Sequence, residues 1–146
     1  MDSSTALATE STFSALPGDS ALTTVRLLEK ADGRIVVGLG STNYQLHLTA
    51  TAPIAAATGH RVRGVIGLKV WKVDRLVNTG NFIEPIYGRP RRVQGHVAGA
   101  IGNSLVVKCC GCLMRCDLPE RYAAGDFQVG EPLGLDILPG ATFEPA

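Results

Sequence analysis

The chain has 146 residues, 45% of them hydrophobic, with 17 glycines, 8 prolines and a formal net charge of +1. That is room for one ordinary domain or two very small ones, each with a packed core. The near-neutral balance excludes a polyanion binder that works by bulk charge, and no apolar run approaches the ~18–20 residues of a spanning helix.

Glycine and proline at this level favour many short strands joined by tight turns, so the expected class is mainly β. Residues 1–20 are rich in Ser and Thr and lack both a basic and an apolar leader region, so they read as a disordered polar tail rather than a secretory signal. Two strands are expected across the Asp32-Gly33 turn in "VRLLEKADGRIVVGL" (25–39), because Asp-Gly is strong hairpin chemistry. A third strand follows at "YQLHLTA" (44–50). The segment "PIAAATG" (53–59) opens on Pro and closes on Gly, which suits one or two helical turns. A long strand is expected at "RVRGVIGLKVWKV" (61–73), followed by a connector over 77–92. The same plan then returns. "GHVAGAIGNSLVVKC" (95–109) turns at Gly102-Asn103, "CLMRCDL" (112–118) is a strand, "PERYAAG" (119–125) a short helical segment and "EPLGLDIL" (131–138) a strand.

The second set lies on the first at a constant offset of 70 for 25–39 against 95–109, with Ile35-Val36-Val37 falling on Leu105-Val106-Val107. "PIAAATGHRVRG" falls on "PERYAAGDFQVG", and "IGLKV" (66–70) on "LGLDI" (133–137). A duplication is therefore expected, with copies at 21–76 and 93–146. Three meandering strands, a short helix and another strand resemble the OB fold, a small Greek-key barrel. The resemblance implies two duplicated OB-like units; the alternative is one pseudo-twofold β-barrel formed by both halves. A fifth strand is evident in neither copy unless "NFIEPIYG" (81–88) and "GATFEP" (140–145) supply it.

All four cysteines, Cys109, Cys110, Cys112 and Cys116, fall within twelve residues of the end of one expected strand and the length of the next. C-C-x-C-x3-C is not a zinc spacing, because structural zinc takes two well-separated pairs. On a strand, Cys112 and Cys116 would stand ~13 Å apart at ~3.3 Å per residue. Their counterparts in the first copy are Leu39, Gly40, Leu46 and Ala50, so small core hydrophobes are expected rather than a metal or redox centre. Four closely spaced cysteines without a signal sequence suggest a reducing compartment, so a cytoplasmic location is expected. His47 and His96 stand singly. No nucleophile elbow, phosphate loop or paired carboxylate appears, and no catalytic residue, metal or cofactor is expected.

Charge placement gives the functional hint. Residues 60–95 hold eight Lys and Arg against two acids, whereas 117–146 hold six acids against one Arg. Strand alternation over 61–75 turns Val62, Ile66, Leu68 and Val70 to one side, and Arg61, Arg63, Val65, Lys69, Trp71, Val73 and Arg75 to the other. "YGRPRR" adds Tyr87, Arg89, Arg91 and Arg92. Without the two valines, these nine residues are the candidate binding surface. The leading expectation is a non-enzymatic binding or scaffold protein that meets a protein partner or a second copy of itself. The alternative is single-stranded DNA or RNA, whose bases stack on the ring while cations track the phosphates. No membrane partner is expected.

Overall fold

The structure is a computed structural model that describes residues 18–146; the expected tail falls outside it over residues 1–17. A single 3-10 turn, Gly18–Ala21, leads into β1 (Thr23–Ala31), β2 (Arg34–Gly38), β3 (Gln45–Ala50) and the fifteen-residue β4 (Arg61–Arg75). Then come the short β5 (Phe82–Glu84) and β6 (Tyr87–Gly88), and after them β7 (Arg92–Ile101), β8 (Ser104–Cys109) and β9 (Cys112–Asp117). A second 3-10 turn, Ala124–Asp126, precedes β10 (Pro132–Ile137) and β11 (Thr142–Pro145). The fold is mainly β, as expected: one mixed sheet of eleven strands, and no helix of seven residues or more among the described residues. None of those helices is long and apolar enough to cross a membrane.

The turns follow the local chemistry. Asp32 and Gly33 both take positive φ (54° and 80°), as a two-residue hairpin turn of the primed kind requires. Gly102 (φ 57°) turns β7 into β8, and Cys110 (φ 55°) with Gly111 (φ 79°) turns β8 into β9. The "PIAAATG" segment forms no helix. The Lys30 ammonium donates to the carbonyls of Ile54 and Ala56 at 3.0 and 2.9 Å, and the Gly59 amide bonds to Leu27. Backbone groups that a helical turn would pair internally are thus held by β1. The matching segment in the second half keeps only the Ala124–Asp126 turn.

Strand pairing closes on itself twice. The first circuit runs β1, β2, β3, β11, β4 and back to β1. The second runs β7, β8, β9, β4, β10 and back to β7. In each circuit one pair is parallel, β3 with β11 and β9 with β4, and the others are antiparallel. β4 belongs to both. Residues 61–67 pair with β1 and β11, and residues 66–75 pair with β9 and β10. At ~3.3 Å per residue, a fifteen-residue strand is long enough to serve two circuits end to end. The other strands of the circuits also have neighbours on both edges, which leaves little unpaired backbone to recruit other chains.

The core follows from period two. Val25, Leu27, Val37, Leu46, Ile66 and Phe143 are buried in the first circuit, and Val97, Leu105, Val107, Met114 and Leu135 in the second. They form one continuous cluster through β4. A smaller cluster, Ala21, Val65 and Val106, lies on the outer side, where Leu22, Ile101 and Leu113 pack against it. It fixes residues 21–23 across β4, β8 and β9, and the Thr23 hydroxyl accepts the Leu113 amide at 3.3 Å.

Candidate nucleic-acid interface

β4 carries the row on which the candidate surface depends. Its outward positions, in order, are Arg61, Arg63, Val65, Gly67, Lys69 and Trp71. Arg61, Arg63 and Lys69 are exposed, and Trp71 is 46% exposed. No carboxylate lies within ion-pair distance of Arg61, Arg63 or Lys69 among the described residues. Val65 is covered by Ala21 and its neighbours. Over Gly67 lies Arg115, brought there because β9 pairs in parallel with β4 and sets Arg115 opposite Gly67. A Cβ at Gly67 would stand 3.0 Å from an Arg115 guanidinium nitrogen and 2.7 Å from Thr142 Oγ1, so glycine is what lets these side chains cross the strand. Arg115 is held by Asp117 at 3.3 Å, and the exposed Arg121 donates to the Trp71 carbonyl. Both cations come from the second half of the chain, and no local pattern in the sequence marked them.

The alternation breaks at Trp71. Asp136 pairs with Lys72 and Ile137 with Val70, so β4 carries one residue more than β10 at that point. Such a bulge sharpens the local twist and re-aims side chains. Beyond it Val73 packs against the core and its amide bonds to the Tyr122 hydroxyl at 3.0 Å. Arg75 leaves the row for the same reason. It pairs with Glu131 at 2.6 Å, donates to the Asp126 carbonyl at 2.7 Å and lies 4.5 Å over the Phe127 ring.

The remaining candidates separate. Arg92 Nη1 binds Asp74 at 3.0 Å and Asp136 at 2.8 Å, in a partly buried bridge across β4, β10 and β7. Burial works against the charged form of Arg92, but the two carboxylates outweigh it and hold its pKa above the ordinary value. Gly134 leaves room for that guanidinium. Arg92 is therefore committed to structure. Arg91 is exposed, and its carbonyl accepts the Ile137 amide at the end of β10. Tyr87, 56% exposed, meets the edge of His47 on β3, with ring centroids 4.5 Å apart. Arg89 lines an open trough of about 540 Å³ with Arg34, Val36, His47 and Thr49. In the first circuit β3 and β4 are separated by β11, so Tyr87 and Arg89 do not continue the Trp71 row.

The four thiols stand free, with Cys109, Cys112 and Cys116 buried in the core and Cys110 half-buried at the turn. Among the described residues no three His, Cys, Asp or Glu side chains gather to hold a metal. Burial raises the pKa of Cys109 and Cys116 far above the usual thiol range, and raises those of Cys110 and Cys112 as well. In the unfolded chain these thiols ionise near ~8.5, whereas in the folded chain burial keeps the proton on to higher pH. Above that pH the folded state binds more protons, so stability present at neutral pH is lost as the pH rises. Urea midpoints measured at pH 7.5 and pH 10 are expected to fall at the higher pH, and the fall is expected to shrink in Cys116→Ala.

Comparison with known protein families, curated proteins and solved structures finds no match to this chain.

Proposed function

We propose that the chain is a non-enzymatic binding protein built of two OB-like units that share β4, and that it takes single-stranded nucleic acid along the outer face of that strand. The first circuit runs first, second, third, fifth, fourth in chain order, with the third and fifth parallel, and the second repeats that pattern from β7 when β4, which precedes β7 in the chain, takes the fifth place. That order suits a five-stranded Greek-key unit of the OB kind. On this reading β11 is the fifth strand of the first unit, and β4 serves as its fourth strand and as the fifth of the second. The repeat of 25–39 at 95–109 supports a duplication, with β1 and β2 matched by β7 and β8. Four free thiols suit a reducing compartment such as the cytoplasm.

The observation that carries the reading is Trp71, 46% exposed and in line with Lys69, Arg63 and Arg61. A half-exposed ring offers a stacking face worth ~1–3 kcal/mol per base, and a row of cations with no carboxylate in ion-pair distance among the described residues tracks the phosphates. Binding of a labelled short single strand, followed by fluorescence anisotropy across a salt series, tests it. Affinity is expected to fall steeply with salt, and the log–log slope to shrink by ~0.7 for each phosphate contact removed in Arg61→Gln and Lys69→Gln. Absence of binding at low salt, or binding indifferent to salt, contradicts the reading.

A protein partner or a second copy is the other reading, favoured by Leu138. This residue is 42% exposed and its amide bonds to the Lys69 carbonyl, which sets a second exposed apolar side chain beside β4 at Lys69, two positions along the chain from Trp71. Sedimentation over a concentration series separates the two. Self-association that Trp71→Ser abolishes supports the contact reading, and a monomer at every concentration removes self-assembly.

A further inference from the structure

We infer that Cys109 and Cys110 form a dithiol site for trivalent arsenicals, at the turn between β8 and β9 and independent of the β4 surface. The two Sγ atoms lie 3.6 Å apart. Neighbouring residues on a strand send their side chains to opposite sides. Here the turn brings them together, because Cys110 takes φ 55° while Cys109 remains paired with Cys112. Cys109 is buried, and its thiol points at the Gln94 carbonyl, 3.2 Å away. Cys110 is half-buried, which gives a reagent a way in.

Geometry and charge select the ligand class. Tetrahedral zinc needs further protein ligands, and no third His, Cys, Asp or Glu joins the pair among the described residues. A linear two-coordinate ion holds its two sulfurs on opposite sides and needs them farther apart than van der Waals contact. A pyramidal arsenic(III) centre bonds both at close to a right angle and accepts sulfurs nearly in contact. Charge agrees: a monovalent soft ion on two thiolates leaves a negative charge in a partly buried pocket, where an unpaired charge is costly. The arsenical adduct is neutral. In the reaction R–As=O + 2 Cys–SH → R–As(S–Cys)₂ + H₂O, two As–S bonds form and the As=O oxygen leaves as water with both thiol protons. Arsenic stays in the +3 state, so no oxidant or reductant is consumed.

The probe is phenylarsine oxide, added to the folded full-length chain and read by intact mass. One adduct is expected, reversed by a small dithiol and resistant to the same concentration of a monothiol. Cys110→Asn keeps a residue that tolerates the left-handed turn, and is expected to weaken adduct formation at least ten-fold. Cys112→Ala is expected to leave it unchanged. The inference is overturned by absence of an adduct on the folded chain, by an adduct that survives in Cys110→Asn, or by its loss in Cys112→Ala, which would move the pair across the turn.

Discussion

Phe143→Ala is expected to destabilise the protein by about 3–5 kcal/mol, the usual cost of emptying a buried aromatic site. Phe143 is fully buried and sits on β11, which pairs with β3 on one edge and β4 on the other. Its ring lies so close to Gly64 that a Cβ there would stand 2.5 Å from it. The loss therefore falls where the last strand of the chain closes the first circuit. Because domains are stable by only ~5–15 kcal/mol, a change of this size leaves a protein that unfolds at much lower urea. Glu144→Ala is the control, since Glu144 faces outward and is exposed; a shift within ~0.5 kcal/mol is expected there. Urea unfolding read by circular dichroism checks both. A Phe143→Ala protein as stable as the parent would mean that β11 does not hold the circuit closed.

Gly95→Ala is expected to cost about 2–3 kcal/mol, the upper part of the range for overpacking. Gly95 is buried in β7, between β10 and β8. An added methyl would meet the Lys108 carbonyl oxygen at 2.4 Å, with Val107 and Cys109 side chains at 3.1 and 3.2 Å. The first obstacle is strand backbone, which moves only if β8 moves, so a rotamer change brings no relief. Gly125→Ala has open space around it and serves as the comparison. Thermal unfolding of the two variants is expected to separate them clearly, and equal midpoints would show that β7 and β8 are farther apart than described.

Much of the fold was legible because its signals are local. Asp32-Gly33 and the alternation of "RIVVG" fix a hairpin without reference to the rest of the chain. The cysteine segment was legible for the same reason: Cys112, Met114 and Cys116 alternate inward like any core strand. Two features depend on distant residues. The fifth strand of the first circuit comes from Thr142–Pro145, nearly a hundred positions after β3, and only tertiary pairing reveals its neighbours. The "PIAAATG" helix lost its carbonyls to Lys30, more than twenty residues upstream.

The candidate surface divided in the same way. Arg61, Arg63, Lys69 and Trp71 could be placed by alternation because β4 runs regularly to Val70. Arg75 could not, since a bulge opposite Asp136 reversed the sides at Trp71. Arg92 looked like one more free cation in a basic run, and it is the centre of a bridge to Asp74 and Asp136 from two other strands. Lys69 and Asp136, which fall on each other where "IGLKV" lies on "LGLDI", do not face each other: Asp136 takes Arg92, and Lys69 stands opposite Asp117. The segregation of basic and acidic segments along the chain thus partly cancels in space, which narrows the usable row to the outer side of β4.

Trp71 is the chain's one tryptophan, so its emission reports on the proposed interface without a label. Titration of the intact protein with a short unlabelled single strand at low ionic strength is expected to quench that emission in a saturable way, and the signal is expected to return as salt is raised. Unchanged emission up to saturating strand, with free acrylamide still able to reach the ring, would contradict a stacking role for Trp71 and with it the nucleic-acid reading of this surface.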